Sequence, residues 1–388
     1  MGIKFEFATA TKIIFGSGSS KKLPLLLQGI KGNILAVTGK NIQRYQPVVE
    51  LLQKEGYKVD NYTVDKEPTV QMVSDGARLA RDINCAVVIG LGGGSVIDAA
   101  KAIAAIAPNS GTLLDYLEVI GEGRKLEHAP LLFIAVPTTA GTGAEVTKNA
   151  VIFSPDHKVK VSLRSDRMFP FAAVVDPELT LSMPPEVTAI TGMDALSHLL
   201  ETYVSNQSNP LIDMYCREGM KRIAESIELA HEEGSNIRAR ENMAFAGMLG
   251  GMALANVKLG AVHGCAGPMG GMLPVPHGMV CAALLPPVMK VNLKTVKEQN
   301  LHVYLEKYND IGRLLTGKAD ASAQDGIEWV EHILKKMQIP LLSSYGLTRD
   351  YFPELVKKAK ITSSIKGNPV VLNDDELLSI LEEEMGRG

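Results

Sequence analysis

The sequence predicts an α/β domain with a parallel sheet, followed by an all-helical domain. Its 388 residues suggest two or three domains at roughly 150 residues each. Up to about residue 180, short β-branched runs alternate with helical stretches, which implies a parallel sheet covered by helices on both faces. After Pro184 and Pro185, helical patterns follow one another with few strand-like runs. The predicted domains are therefore residues 1–180 and residues 181–388.

The elements of the first domain are predicted from where its apolar runs begin and stop. The predicted strands are Asn33–Gly39, Tyr57–Val64, Cys85–Gly94 and Leu131–Gly143, and the last two run into glycine-rich or small-residue loops. The predicted helices are Pro47–Gly56, Val70–Ile83 and Ser95–Ala107. The first of these helices starts on proline and stops on glycine, the usual helix boundaries.

The second domain contains a long stretch that is almost free of charge. Between Glu241 and Lys290 the only formally charged residue, with histidine counted as neutral, is Lys258. The uncharged run Leu259–Met289 is long enough to suggest a membrane helix, but it is interrupted by glycines and prolines. We expect this run to be the buried centre of the helical domain.

Composition excludes several classes of function. Lys and Arg total 40 and Asp and Glu total 43, a net charge of -3, which disfavours binding to nucleic acid or to an anionic membrane. The four cysteines have no C-x-x-C spacing, which argues against a zinc ribbon or a redox pair and fits a reducing compartment. The first residues lack the apolar block of a signal peptide. We expect a cytoplasmic protein without membrane or nucleic-acid partners.

Two loops are candidates for binding a phosphate group. Gly90–Ser95 joins a predicted strand to a predicted helix, and Thr138–Gly143 follows another strand. Glycines allow the backbone to approach a ligand closely, and a helix N-terminus attracts anions. A tight strand–helix turn explains the first loop equally well, but two such loops at strand ends favour a nucleotide.

The residues after the predicted strand Asn33–Gly39 bear on which nucleotide binds. An acidic residue there would bind a ribose 2′-hydroxyl and repel a 2′-phosphate. This chain has Gly39 and Lys40, which leave room for a 2′-phosphate and offer it a cation. We expect NADP to be accepted alongside NAD, although a plain turn with a solvated lysine explains the same residues.

A metal site is indicated by one carboxylate and three imidazoles. Asp194 and His198 are four residues apart in a helical pattern, so they share a helix face. His263 and His277 lie in the uncharged run, where an imidazole needs a partner. A backbone carbonyl could serve either histidine, but together the four residues suit Fe²⁺ or Zn²⁺ with a position left for substrate.

Taken in order, these motifs resemble the iron-dependent, or group III, alcohol dehydrogenases over nearly the whole chain. The similar segments are TKIIFGSG, GLGGGSVIDAAKA, VPTTAGTGAEVTKNAVI, VVDPELT, TGMDALSHLLETYVS and LGAVHG followed by PHG and LLPPVM. The resemblance implies a Rossmann-like nucleotide domain and an all-α metal-binding domain. It also implies reversible hydride transfer between NAD(P) and a small alcohol, aldehyde or ketone.

The resemblance also implies roles for individual residues. The implied catalytic metal ligands are Asp194, His198, His263 and His277, and the implied pyrophosphate contacts are Gly93, Gly94 and Ser95. Further implied cofactor contacts are Thr138, Thr139, Thr142 and Lys160, with Asp98 in the same motif as the glycines. One departure is Gly267, where many family members have a histidine. Its absence removes a proton-relay candidate and enlarges the pocket.

Two other functions share some of these features. A dehydroquinate synthase-like lyase also uses NAD and a metal, and a nucleotide-binding protein could keep the fold without catalysis. The first would need several polar side chains near the metal, which Leu259–Met289 does not supply. The second does not need a complete set of buried ligands. The strand-like N-terminal segment KFEFATATKIIFG could pair between chains, so we expect a homodimer.

Overall fold

The structure, a computed structural model, describes residues 3–157 and 159–386 as two compact units. One unit comprises residues 8–182, and the other runs from Met183 onward and includes the described N-terminal residues through Phe7. The first unit is α/β and the second is built from helices, which confirms the predicted fold class.

The strands and most of the short helices belong to the α/β unit. Its strands are β1 (Lys12–Phe15), β2 (Asn33–Thr38), β3 (Val59–Thr63), β4 (Cys85–Gly92), β5 (Leu132–Pro137), β6 (Asn149–Ser154), β7 (Val159–Arg164) and β8 (Ala172–Val175). Its helices are α1 (Leu23–Leu26), α2 (Gln46–Lys54), α3 (Val70–Asp82), α4 (Gly94–Ile106) and α5 (Leu113–Tyr116).

Within the described residues, six strands form a parallel sheet in the order β1-β8-β5-β4-β2-β3. Alternate residues of β2 enter different apolar clusters, Ile34 and Ala36 on one face and Leu35 and Val37 on the other. Both faces of the sheet are therefore buried, as expected for a parallel sheet. Pairing of Thr38 with Leu91 and of Gly92 with Pro137 brings the carboxyl ends of β2, β4 and β5 to one edge.

An antiparallel hairpin, β6 paired with β7, was not predicted. β7 alternates apolar and polar residues, and Pro155 and Asp156 between the two strands are a recognisable turn signal. β6 packs against α4. The buried Lys101 of α4 donates hydrogen bonds to the Ala144 carbonyl at 2.8 Å, the Thr147 hydroxyl at 2.9 Å and the Asn149 carbonyl at 2.7 Å. Lys101 thereby connects α4 to the segment between β5 and the hairpin.

The second unit consists of longer helices. They are α6 (Pro185–Val204), α7 (Pro210–Glu232), α8 (Ile237–Leu254), α9 (Ala261–Met272), α10 (His277–Glu298), α11 (His302–Thr316), α12 (Ala323–Lys336), α13 (Phe352–Ala359) and α14 (Asp374–Met385). Helix α6 packs against α7, α8 and α10, and fifteen of its residues are buried. It is the central helix of this unit.

The uncharged run Leu259–Met289 forms α9 and the first part of α10. Helix α10 is long and apolar enough to cross a membrane by length and composition, but 89% of its most apolar window is buried inside the structure. Such burial is typical of a core helix. The apolar character of α10 is therefore only weak evidence that it spans a membrane.

We predict that Asp176→Ala destabilises the α/β unit. The buried Asp176 accepts hydrogen bonds from the Gly18 and Ser20 backbone N–H groups at 3.0 Å, the Ser20 hydroxyl at 2.6 Å and the Glu178 N–H at 3.1 Å. Leaving these donors unsatisfied should lower the free energy of unfolding by about 2–3 kcal/mol. Urea unfolding followed by circular dichroism measures the loss. Asp166→Ala is the control, because that side chain is 84% exposed and its ion pair within the described residues is with Lys148. Equal effects of the two substitutions would contradict the prediction.

Candidate functional site

Helix α6 presents three acidic or imidazole side chains on one face. Asp194, His198 and Glu201 follow one another at spacings of four and three residues, and each is at least 95% buried. Such spacings bring side chains together on a helix surface. Buried ionisable groups require partners, so this face must meet other polar groups in the core of the unit.

The partners come from the first turns of α9 and α10. The Asp194 Oδ1 atom lies 3.5 Å from Nε2 of His263, 3.8 Å from Nε2 of His198 and 4.0 Å from Nε2 of His277. The rings of His198 and His263 stack with their centroids 4.5 Å apart. The structure therefore brings together all four residues that were predicted as metal ligands.

Close backbone approach makes this convergence possible. A Cβ atom added at Gly278, next to His277, would lie 2.7 Å from the Ile190 carbonyl oxygen of α6. A Cβ atom at Gly260, before α9, would lie 2.7 Å from Oε1 of Glu201. The Ile190 carbonyl is backbone and cannot move aside, so only glycine lets α10 start this near to α6, while a Cβ atom at Gly260 would displace the Glu201 carboxylate from its hydrogen bond with α9.

Glu201 was not predicted from the sequence, yet it orients one of the imidazoles. Its carboxylate lies 2.7 Å from Nδ1 of His263 and accepts the Val262 backbone N–H at 2.6 Å. A proton held on Nδ1 by this carboxylate leaves the lone pair on Nε2, which faces Asp194. Carboxylate–histidine pairs of this kind orient metal-binding imidazoles in other proteins. The signal in the sequence was the spacing of three residues after His198.

Cys281 also belongs to the cluster and was also missed. It lies four residues after His277 on α10, is fully buried, and places Sγ 3.5 Å from Nε2 of His277 and 3.6 Å from Nε2 of His263. The same four-residue rule that pairs Asp194 with His198 would have found it. The four cysteines of the chain are free and buried.

The electrostatics of the cluster suit a cation. Burial alone would raise the pKa of Asp194, but His198, His263 and His277 outweigh it and hold that pKa well below its usual range. Burial likewise opposes protonation of His263, yet Cys281, Asp194 and Glu201 around it raise its pKa well above the ordinary value. Both shifts mean that the surrounding groups favour positive charge at this point.

The side chains of this cluster suit a divalent metal ion. Asp194 Oδ1 is buried and has no hydrogen-bond partner in the described structure. An unsatisfied carboxylate oxygen in a protein core is costly, whereas a cation among the surrounding imidazole nitrogens would satisfy it. Zn²⁺ and Fe²⁺ both bind to sites made of one carboxylate and several imidazoles.

The predicted nucleotide loops lie side by side in the α/β unit. The Thr138 N–H donates to the Gly92 carbonyl at 2.9 Å. Added Cβ atoms would lie 3.1 Å from Thr139 at Gly93 and 2.8 Å from Thr142 at Gly94, so the loops pack directly on each other. Helix α4 begins at Gly94 without a side-chain cap among the described residues. This helix start, beside Ser95 and three threonines, is suited to binding an anion.

Asp98 and Lys160, the remaining cofactor candidates of this unit, contact other parts of the protein. Asp98 accepts the Val151 N–H at 3.0 Å, and burial raises its pKa to about 6 against the effect of Lys101. Lys160 of β7 donates to the Glu67 carboxylate at 2.6 Å. Asp98 thus holds the β6–β7 hairpin to α4.

Gly39 and Lys40 follow β2 at the same edge of the sheet. A Cβ atom at Gly39 would lie 2.8 Å from the hydroxyl oxygen of Tyr45. The tyrosine therefore fills the space that a side chain at position 39 would need. Lys40 is exposed and free to turn toward a ligand at that edge.

Comparisons with known proteins cover the whole length of the chain. The family described as "Iron-containing alcohol dehydrogenase" matches residues 10–177, and "Fe-containing alcohol dehydrogenase family, C-terminal" matches residues 188–385. A choline dehydrogenase of Bacillus subtilis is 34% identical over 84% of this chain and 81% of its own length. An NADPH-dependent butanol dehydrogenase of Clostridium saccharobutylicum is 34% identical over 97% of both chains. A crystal structure of 1,3-propanediol oxidoreductase superposes with a TM-score of 0.90 at 31% identity, covering 98% of this chain and 100% of that one.

We predict that Glu201→Gln weakens binding of a divalent metal by roughly 10–100-fold, the usual cost of losing such a supporting carboxylate. The amide cannot accept both the His263 ring N–H and the Val262 N–H as the carboxylate does. Competition with a chromophoric chelator measures the affinity.

Asn368→Ala is the matched control for this substitution. Asn368 accepts the Ala261 N–H at 3.2 Å at the same helix start, but its other side-chain hydrogen bonds in the described structure are with Asn292 and the Val370 carbonyl, not with the His263 ring. This variant should lose thermal stability and keep its metal affinity. An equal loss of metal affinity in both variants would show that Glu201 acts only as a helix cap.

Proposed function

Since the chain belongs to the iron-containing alcohol dehydrogenase family, we propose that its helical unit holds a divalent metal and its α/β unit a nicotinamide dinucleotide for one reaction. Family membership confirms the resemblance found in the sequence. The chain is an NAD(P)-dependent oxidoreductase that acts on alcohols or aldehydes. The observation that carries the proposal is Asp194 Oδ1, buried without a hydrogen-bond partner among three imidazoles.

Asp194, His198, His263 and His277 are the proposed ligands. Fe²⁺ or Zn²⁺ held there would supply a Lewis acid for the substrate oxygen, and a bound nicotinamide would supply the hydride donor or acceptor. Asp194 offsets part of the ionic charge, and Glu201 keeps the Nε2 lone pair of His263 directed at the cluster. The side chain of His277 is 40% exposed, so substrate is expected to reach the cluster from its side.

The proposed dinucleotide site lies at the carboxyl ends of β2, β4 and β5. Gly93, Gly94 and Ser95 would bind the pyrophosphate through backbone N–H groups at the start of α4, and Thr138, Thr139 and Thr142 would supply hydroxyls beside them. Asp98 and Lys160 would support the site through the β6–β7 hairpin. Lys40 would pair with the 2′-phosphate of NADP next to Gly39, although the Tyr45 hydroxyl occupies the space that Gly39 was expected to leave open.

The proposed substrates are short alcohols and aldehydes. The run Leu259–Met289, which supplies His263, His277 and Cys281, contains no lysine, arginine or asparagine. A highly charged substrate would lack partners from this run, which disfavours a dehydroquinate synthase-like lyase. A Cβ atom at Gly267, one turn after His263, would meet nothing within 4 Å, so the space beside that position is open.

We further propose a cytoplasmic homodimer and a domain boundary in the sequence near residue 181. Strand β1 pairs on one side with β8 and leaves its other edge open in the described sheet, which suits pairing with a second chain. The strand covers only Lys12–Phe15, a shorter span than the strand-like segment of the sequence. Light scattering of the purified chain would test the dimer, and a monomer would refute it.

We predict that Asp194→Ala and His263→Ala each lower turnover by at least about 100-fold, because each removes a metal ligand. The assay follows reduced nicotinamide absorbance with a panel of short alcohols and aldehydes, with Fe²⁺ or Zn²⁺ added, and elemental analysis gives the metal content. His332→Ala, an exposed histidine on α12, serves as the control and should leave both readouts unchanged. Near-normal turnover and metal content in either ligand variant would refute the assignment.

We predict that the chain uses NADP as well as NAD, and that Gly39→Asp shifts its preference toward NAD. A carboxylate at position 39 repels a 2′-phosphate and binds a 2′-hydroxyl, so the NADP-to-NAD ratio of kcat/KM should fall on the order of tenfold, about 1.4 kcal/mol. Tyr45→Phe is the background for this substitution, because it removes the hydroxyl that the new Cβ would meet. Strict use of NAD by the unaltered chain would contradict the prediction.

A further inference from the structure

Cys281 stands in the ligand cluster in a way that packing alone does not require. The ligand atoms of Asp194, His263, His277 and Cys281 all lie within 4.8 Å of one another. Sγ approaches both imidazole Nε2 atoms almost equally, at 3.5 Å and 3.6 Å. These nitrogens are the same atoms that face Asp194 Oδ1.

The two sulfur–nitrogen distances match the spacing of neighbouring ligands around one metal ion. Zn–N bonds of about 2.0–2.1 Å and a Zn–S bond of about 2.3 Å place the nitrogen and sulfur about 3.6 Å apart. Both separations at Cys281 agree with that figure. The buried Asp194 Oδ1 lacks a hydrogen-bond partner among the described residues. This is an independent sign that a cation would be stabilised at this point.

We propose that Cys281 Sγ is a further metal ligand of this site and makes it favour thiophilic ions such as Zn²⁺ and Co²⁺ over Fe²⁺ and Mn²⁺. Thiolates select zinc-like ions, whereas carboxylate ligands suit Mn²⁺ better. The thiol proton leaves to solvent when the ion binds. The inference rests on the proposed function only in requiring that the cluster bind a metal.

Burial does not by itself distinguish Cys281 from the other thiols of the chain. Cys265 on α9 is two residues from His263 and is also buried. Burial raises the pKa of both thiols to about 12. Among the described residues, Cys281 is the thiol that lies against the ring nitrogens. Cys265 is therefore a matched control, a buried thiol in the same unit outside the cluster.

The test is the absorption spectrum of the full chain loaded with Co²⁺. With one cobalt per chain by elemental analysis, we expect a sulfur-to-cobalt charge-transfer band in the near ultraviolet. The band should vanish in Cys281→Ala and Cys281→Ser and persist in Cys265→Ala. Competition between Zn²⁺ and Mn²⁺ under anaerobic conditions should show their affinity ratio falling by roughly 10–100-fold in Cys281→Ala but not in Cys265→Ala.

The outcomes separate this inference from the proposed function. One cobalt per chain without the band, or a band that survives Cys281→Ala, would overturn the role of Cys281 and leave the metal-dependent function standing. No cobalt binding would overturn both. The spectrum of the unaltered chain decides the question even where a Cys281 variant fails to fold.

Discussion

The helical unit is organised around a buried carboxylate oxygen that has imidazoles near it but no hydrogen bond. Asp194 Oδ1 lies within 4.0 Å of three histidine nitrogens, and placing such a charge in a core is costly unless something compensates it. The neighbouring imidazoles can do so as protonated rings, or as neutral ligands if a cation takes the place of their protons. With a bound cation, the Asp194 oxygen and the imidazole nitrogens would all have a partner. This accounts for a site that favours positive charge.

Much of the surrounding structure serves to bring these donors together. Helix α6 supplies Asp194, His198 and Glu201 from one face, and α9 and α10 direct their first turns toward it. Gly260 and Gly278 allow those helix starts to approach closely. Glu201 has two roles, because its one carboxylate accepts a backbone N–H of α9 and also orients the His263 ring. Support of the backbone and preparation of the site are therefore the same interaction.

The α/β unit follows a comparable plan at the carboxyl edge of its sheet. Its two small-residue loops pack on each other through Gly93, Gly94, Thr139 and Thr142, which fixes their backbones beside the start of α4. Behind them, Lys101 and Asp98 fasten the β5–β6 connection and the hairpin to α4. Asp98 belongs to a binding motif, but its carboxylate accepts the Val151 N–H. It therefore stabilises the position of the hairpin.

The sequence by itself determined the order of the strands and of the longer helices up to β5, though not the short helices α1 and α5. It also determined the two loops and the carboxylate and imidazoles of the cluster, because each depends on local periodicity or on residues that a buried apolar setting cannot leave unpaired. Only the tertiary structure decided which elements meet. Glu201 and Cys281 join the cluster through contacts between residues 62 and 18 positions apart, and Tyr45 fills the space beside Gly39 from a different element. Local spacing places Glu201 and Cys281 on the helix faces of His198 and His277, but what those faces meet is set by how the helices pack in three dimensions.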